Sequence, residues 1–421
     1  MSTGGPVAGP VRDPGSWRDP SGFVYRRDGV VLRQIASAFA PEWEAYLASG
    51  LHARLVARGM VLPFADAPLA DALDPATAWR VIRPEPLQVL SWPWEWSFGQ
   101  LQAAGLLTLD LALAALDAGF VLRDASAFNI QLRGTQPVLI DSLSFARRVP
   151  DAPWTAYRQL CEHFLAPLAL MAIRDVRLGR MLRSFPDGIP LDLASRLLPG
   201  RTKLRLGLAT HLHLHARAQV RHGSAGAAQA RAVRLPDARL RALLTNLRGT
   251  IAGLRWDPGG TEWADYADNT SYGPAATAAK ERIVAQMVAD TAPALAWDIG
   301  ANTGRYSAIA AAAGARVVAW DIDPAAVERH QRALLAAGET RITPLLLDLA
   351  DPSPALGWAL RERASLTDRA DADLVLALAL VHHLAIGRNV PLPMIATFLA
   401  ELAPAGPSRA PGSGPRGRGA G

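Results

Sequence analysis

The chain has very few of the features that mark secreted or membrane proteins. Its 421 residues include a single cysteine, Cys161, which excludes a framework of disulfide bonds. No uninterrupted apolar stretch approaches the length that crosses a membrane, and the opening residues MSTGGPVAGPVRDPGSW lack the apolar core of a signal peptide. Half of the residues are hydrophobic, which is enough to form sizeable cores. We therefore expect a cytoplasmic protein of two or three domains without a membrane span.

Acidic residues are scarce between Arg174 and Arg248, where 15 Lys and Arg stand against 4 Asp and Glu. A basic stretch can bind the phosphates of a nucleic acid, but few aromatic residues are interleaved here to stack on bases. We therefore favour a set of solvated helices over a nucleic-acid partner. His211 and His215 would share one helix face, as metal ligands can, but no nearby carboxylate or cysteine completes a site. The stretch predicts a basic, mainly helical connector over residues 174–255.

The most informative segment is LAWDIGANTG, in which an apolar run leads to Asp298 and then to a turn between Gly300 and Gly304. The following residues, RYSAIAAAAGA, predict a helix. A strand, a glycine turn and a helix let a ligand approach the backbone closely, because glycine leaves room or adopts a positive φ. The dinucleotide pattern G-x-G-x-x-G is absent, since Asn302 and Arg305 stand where it needs glycine.

Three further apolar runs follow, and each leads to polar residues. ARVVAWDID ends at Asp321 and Asp323, and the first of these lies 23 residues after Asp298. A carboxylate there can accept both ribose hydroxyls of a nucleoside. ITPLLLDLAD contains Asp348 at the end of its apolar run, and DADLVLALALVHHL leads to His383. Four strands that alternate with helices, with polar residues at the strand ends, predict a doubly wound α/β sheet.

The acid and the G-x-x-x-G turn resemble the first motif of class I S-adenosylmethionine-dependent methyltransferases. The resemblance implies a Rossmann-like class I methyltransferase domain over residues 256–403 with S-adenosyl-L-methionine as its cofactor. Residues at the strand ends would bind that cofactor: Asp298, Gly300, Asn302, Gly304, Asp321, Asp323 and Asp348.

In this family an acid placed like Asp348 meets the adenine amino group. The segment WADYADNTSYGPAATAAKERIV resembles the one that caps the cofactor, so Tyr266, Tyr272 and Lys280 are candidates to line the pocket. A tyrosine ring there can pack against the sulfonium, although a helix entry with packing tyrosines is an equal alternative. His383 is a candidate base for a hydroxyl or amine acceptor.

A second group of polar residues lies in GFVLRDASAFNIQLRGTQPVLIDSLSFARR. Asp124 and Asn129 stand in a D-x4-N relation, and Asp141 follows the run PVLI. These residues resemble the catalytic loop and metal-binding acid of kinase-like phosphotransferases, which use Mg-ATP. The glycine-rich phosphate loop is missing, and Arg33 stands where a lysine is expected. We interpret residues 22–173 as an α+β kinase-like region that is a non-catalytic remnant, and we do not favour Mg-ATP as a cofactor.

The segment SWPWEWSF places Trp92, Trp94 and Trp96 on one face if it is extended. A sugar or aromatic ligand could stack there, but a packed strand or turn is the commoner arrangement. Together with RDASAFN and DSLSF, the segment resembles a bacterial family that includes a host-specific nodulation protein of rhizobia. Its members carry a kinase-like part ahead of a class I methyltransferase domain. The resemblance covers roughly Gly22 to Leu402. It does not name the methyl acceptor, for which we expect a small molecule or a saccharide.

The last residues, AGPSRAPGSGPRGRGAG, contain only Ala, Gly, Pro, Ser and Arg. That composition cannot bury a core, and it predicts disorder over residues 404–421, as we also expect for residues 1–21. A class I sheet has seven strands, whereas four are recognisable here. We therefore expect an incomplete domain, from truncation or a frameshift, with an exposed sheet edge and impaired activity. A kinase-like nucleotide-binding or phosphotransferase module and a non-catalytic scaffold are the alternative functions.

Overall fold

The computed structural model describes residues 10–87, 89–216, 234–259, 273–378 and 380–403. The first part is an α+β region that begins with a five-stranded antiparallel sheet in the order β1-β2-β3-β5-β4. Its strands are β1 (Val11–Arg12), β2 (Gly22–Arg27), β3 (Val30–Ala36), β4 (Phe64–Ala67) and β5 (Ala78–Pro84). Asp28 and Gly29 both have positive φ and form the two-residue turn between β2 and β3. Strand β1 pairs with β2, although we expected disorder over residues 1–21.

Three helices of this region are α1 (Ala40–Ala48), α2 (Leu51–Ala57) and α3 (Phe98–Asp117). Trp43 of α1 and His52 of α2 pack against Phe64 of the sheet. Helix α3 begins at a capping box, in which the Ser97 and Gln100 side chains each accept a hydrogen bond from the other residue's backbone amide. Among the described residues it is the one helix that is long and apolar enough to cross a membrane by length and composition. Leu101, Leu109 and Leu111 of this helix are fully buried in the core.

Short elements complete the N-terminal part. Strands β6 (Phe120–Leu122) and β9 (Phe145–Arg147) pair around the hairpin of β7 (Ile130–Arg133) and β8 (Gln136–Leu139). The helices that follow are α4 (Tyr157–Leu160), α5 (Ala166–Ile173), α6 (Met181–Ser184), α7 (Leu191–Leu197), α8 (Leu206–Leu208) and α9 (Asp237–Ala252). Two π-helical segments, Cys161–Leu165 and Ala209–Leu214, continue α4 and α8.

The C-terminal part is an α/β region whose four parallel strands confirm the predicted Rossmann-like sheet. They are β10 (Leu295–Ile299), β11 (Arg316–Asp321), β12 (Ile342–Leu346) and β13 (Leu374–Leu376), in the order β12-β11-β10-β13. The accompanying helices are α10 (Pro274–Thr291), α11 (Arg305–Ala312), α12 (Pro324–Ala337), α13 (Val381–Ala385) and α14 (Leu392–Leu402). The order in which successive strands are added reverses between β10 and β13, and ligands of such sheets bind at this switch point.

The fourth strand is shorter than the sequence predicted. We expected a strand through DADLVLALALVHHL, but β13 ends at Leu376 and the two histidines lie on helix α13. Alanine and leucine are strong helix formers, and a short apolar run does not distinguish a strand from a buried helix. The prediction that His383 ends a strand was therefore wrong.

The two parts share a buried interface built on the tryptophan segment. Residues Pro93–Glu95 form a 3-10 turn, which agrees with the packed turn that we favoured over a ligand-stacking face. The Trp92 indole donates to the Ala364 carbonyl at 3.0 Å, and the Trp94 indole donates to Ser353 Oγ at 2.9 Å. Glu95 forms a fully buried ion pair with Arg369 across the same interface. The loop between β12 and β13 is therefore held by the N-terminal region.

Candidate methyltransferase site

The glycine turn after β10 is tied to the neighbouring strand. Gly300 and Gly304 have φ values of +81° and +85°, which explains why glycine is required at both positions. The amides of Gly300 and Ala301 donate to the Trp320 carbonyl at 2.8 and 3.0 Å. The turn therefore lies at the carboxyl end of β10, beside the end of β11.

The two glycines serve different purposes. A Cβ atom at Gly300 would have only Leu380 Cβ within 4 Å among the described residues, at 3.8 Å, so the backbone there faces open space. A Cβ atom at Gly304 would overlap the His330 imidazole. Gly300 therefore leaves room that a ligand can fill, whereas Gly304 leaves room for a side chain of the protein.

Asp321 closes the turn from the second strand. One of its carboxylate oxygens accepts the Asn302 amide at 2.7 Å, and the other accepts the Asp323 amide at 2.9 Å. Burial raises the pKa of Asp321, against the opposing effect of these backbone hydrogen bonds. The structure thus brings Asp321 and the glycine turn together, as the sequence predicted.

Asp298 is buried beneath the turn. It accepts a hydrogen bond from Ser307 Oγ of helix α11 at 2.7 Å, which links strand β10 to the helix after the turn. Burial, together with the nearby Asp321 carboxylate, raises the pKa of Asp298 to about 6, although the Ser307 hydrogen bond opposes the shift. With 1% of its surface exposed, Asp298 orients the turn from below.

His330 is a site residue that the sequence analysis missed. It lies on helix α12 with its ring against Gly304, and burial lowers the pKa of the imidazole to about 4, so the ring is neutral. Its position in the helix is an ordinary buried one, and no motif signals it. The contact became visible only once α12 was placed beside the turn.

The other predicted cofactor residues are less central. Asp323 is the N-cap of α12, where its carboxylate accepts the Ala325 amide at 2.8 Å. Asp348 follows β12, accepts the Ala350 amide at 3.0 Å and lies 3.7 Å from the Arg388 guanidinium. Lys280 of α10 lies over the Tyr306 ring at 4.8 Å. Tyr266 and Tyr272 lie outside the described residues.

His383 lies on α13, exposed, with its ring centroid 3.9 Å from that of His382. It stands seven residues beyond Leu376, where β13 ends. The role of His383 as a base for the methyl acceptor therefore stays a prediction.

The residues of the kinase-like interpretation form a structural cluster. The Arg33 guanidinium forms an ion pair with one oxygen of Asp141, and the Ser144 hydroxyl donates to the other oxygen at 2.5 Å. Although burial alone would raise it, these contacts hold the pKa of Asp141 below its ordinary value. Asp124 accepts the Ser126 amide at 2.9 Å. Asp141 thus binds a cation of the protein itself, and the described residues contain no group of three or more His, Cys, Asp and Glu suited to a metal ion.

Comparisons with known proteins agree with this geometry. A family model described as "Methyltransferase domain" matches residues 297–407, which begin in β10 and include the glycine turn and Asp321. "Nodulation protein NoeA" of Rhizobium meliloti (strain 1021) is 37% identical over 403 residues, which cover 94% of this chain and 84% of that protein. A solved structure described as "Structure of vaccinia related kinase 3" has 12% identity and a TM-score of 0.24, over 44% of this chain and 76% of that one. A TM-score this low carries no argument, whereas the identity to NoeA over nearly the whole chain does. The chain belongs to the family of the nodulation protein NoeA, and its C-terminal part is a class I methyltransferase domain.

Proposed function

We propose that this chain binds S-adenosyl-L-methionine and transfers its methyl group to an acceptor, for which a small molecule or a saccharide is the best candidate. One observation carries the proposal: the Asp321 carboxylate and the glycine turn are held together at the switch point of the parallel sheet. The match to a methyltransferase domain supports methyl transfer as the reaction.

The residues present fit the cofactor. The Asp321 carboxylate accepts the Asn302 and Asp323 amides, one on each oxygen, and a carboxylate has about four acceptor positions, so capacity remains for a ribose hydroxyl. The open space at Gly300 lets a ligand lie against the backbone. Asp348, beyond the end of β12, is the candidate acceptor for the adenine amino group.

S-adenosyl-L-methionine supplies a methyl group already activated by a positively charged sulfonium. The protein's own residues therefore need mainly to bind, to orient and to exclude water. Asp298 links strand β10 to the helix after the turn, and the His330 ring packs against Gly304. Asp321 anchors the turn to β11. His383 is proposed to accept the proton that a hydroxyl or amine acceptor loses.

The phosphotransferase alternative is less favoured, because the Asp141 carboxylate is paired with Arg33 and hydrogen-bonded to Ser144. Magnesium binding would require that ion pair to break. We also propose a cytoplasmic location for the chain.

The proposal is tested by titrating the purified chain with S-adenosyl-L-methionine in a calorimeter. We expect Asp321→Ala to weaken binding roughly a hundredfold or more, because two hydrogen bonds to a charged group are lost. Asp290→Ala, which removes an exposed acid of α10, is the matched control and should keep the affinity. Equal affinity in the parent chain and Asp321→Ala, or no binding by the parent chain, would refute the site. Circular dichroism of each variant establishes that it is folded.

A further inference from the structure

The segment after helix α7 exposes apolar and basic side chains together. Leu204 is 88% exposed and Leu206 is 76% exposed, so two large apolar side chains lie mostly in solvent only two residues apart. Arg201, Lys203 and Arg205 alternate with them and are also exposed. We call these five residues the basic leucine segment.

The backbone of the basic leucine segment is anchored, so its side chains are held outward. The Thr202 side chain is buried; its hydroxyl donates to the Pro199 carbonyl at 2.7 Å and lies 2.9 Å from His213 Nε2. On the other side Gly207 lies so close to Thr250 of α9 that a Cβ atom would overlap its side chain. The leucines are therefore presented by a fixed turn.

The cations of the segment are not neutralised by the part of the protein that the structure describes. Two other arginines are neutralised by ion pairs: Arg196 pairs with Asp192, and Arg241 pairs with Asp117. No such ion pair is found for Arg201, Lys203 or Arg205 among the described residues. From Arg196 to Pro236 the sequence has no acid and these Lys and Arg: Arg196, Arg201, Lys203, Arg205, Arg217, Arg221, Arg231 and Arg234.

We propose that the basic leucine segment is a peripheral docking site for an anionic membrane surface. Lys and Arg near such a surface are attracted to acidic headgroups, and exposed leucines gain free energy by entering the interface. A nucleic acid would use the same cations, but it offers no apolar layer for Leu204 and Leu206, and the segment has no aromatic ring to stack on bases. The two leucines therefore favour lipid over nucleic acid.

The test is co-sedimentation of the full chain with vesicles of phosphatidylcholine alone and with vesicles that also contain phosphatidylglycerol. We expect binding to the anionic vesicles, and salt should weaken it. Replacing all three cations (Arg201→Gln, Lys203→Gln, Arg205→Gln) should weaken binding about a hundredfold, at roughly fivefold per cation. Leu204→Ser with Leu206→Ser should weaken it at least about tenfold. Because all five side chains are exposed, neither variant should shift the thermal unfolding midpoint.

Leu360→Ser with Arg361→Gln is the matched control, since it removes a 67% exposed leucine and an exposed arginine from the loop between β12 and β13. It should bind vesicles like the parent chain. Absence of binding to anionic vesicles would overturn the proposal. So would binding that the leucine variant retains in full, because that is adsorption by charge alone. Tighter binding to duplex RNA or DNA, lost with the cations but kept with the leucine changes, would assign the segment to nucleic acid instead.

Discussion

The Glu328 carboxylate of helix α12 accepts hydrogen bonds at 2.8 Å from the Ser97 hydroxyl and from the Gly99 amide, at the N-terminus of helix α3. A buried acid of the methyltransferase region thus satisfies the first turn of the longest helix of the N-terminal region. A Cβ atom at Gly99 would come within 2.8 Å of Glu328 Oε1, so glycine permits this close approach.

Glu328→Ala should destabilise the whole chain by about 2–4 kcal/mol, because it leaves buried donors without their acceptor. Urea unfolding followed by tryptophan fluorescence and by circular dichroism measures the change, and both signals should shift together. Glu281→Gln is the control. It breaks the ion pair between Arg305 and the Glu281 side chain, which is 38% exposed, and it should lower the free energy of unfolding by less than about 1 kcal/mol. Two separate transitions in the parent chain would contradict this coupling.

Arg369→Met should be more destabilising, by about 3–5 kcal/mol, because it leaves Glu95 as an uncompensated buried charge. The partner change Glu95→Gln in the same chain should recover part of the loss. Chemical unfolding of the parent, both single variants and the double variant forms the cycle that measures this coupling. If the loss of unfolding free energy in the double variant equals the sum of the losses in the two single variants, Arg369 and Glu95 do not stabilise the chain as a pair.

Asp298→Asn should stabilise the chain at neutral pH but not in acid. The pKa of Asp298 rises from about 3.8 to about 6 on folding, so the protonated carboxyl group favours the folded state below about pH 4, and this contribution is lost as pH rises through 6. Asparagine does not ionise, and it keeps a hydrogen bond to Ser307. The expected gain at about pH 8, relative to about pH 4, is up to about 3 kcal/mol. Unfolding titrations at both pH values check it, with exposed Asp290→Asn as the control that shows no such dependence.

Gly304→Ala should destabilise the site twice over, through overlap with His330 and through the positive φ of +85°. Adding His330→Ala removes the overlap but not the backbone strain, so the double variant should be more stable than Gly304→Ala by about 1–3 kcal/mol. Urea unfolding and titration with S-adenosyl-L-methionine measure the cycle.

Gly314 is the matched control for that cycle. Its φ is +100°, and a Cβ atom added there would have no atom of the described residues within 4 Å. Gly314→Ala should therefore lower the stability only through the strain of a positive φ. His330→Ala should not change that cost. If His330→Ala changes the stability of the Gly304→Ala and Gly314→Ala variants by the same amount, the imidazole is not the reason why position 304 requires glycine.

Local patterns predicted the sheet because each strand carries its own signal. Four apolar runs, a glycine turn and an acid after the second run were enough to predict parallel strands and the meeting of Asp321 with the turn. The fourth run misled us beyond Leu376, since alternating alanine and leucine suits a helix as well as a strand.

Contacts between the two regions carry no local signal. Ser97 and Glu328 are 231 residues apart in the sequence, and glutamate is a residue type that is mostly exposed. His330 likewise follows from how α12 packs and not from any motif. Such pairs depend on tertiary packing, which periodicity and residue spacing do not encode.

The anchoring of the β12–β13 loop by Trp92 and Trp94 also bears on how such a gene can evolve. A segment that encoded only the methyltransferase sheet would move to a new genome without the indoles that hold the loop after Asp348. Recombination between relatives would exchange this sheet successfully only where the recipient already supplies a matching tryptophan turn. The two halves are therefore expected to be inherited as a pair, even if only one of them performs the chemistry.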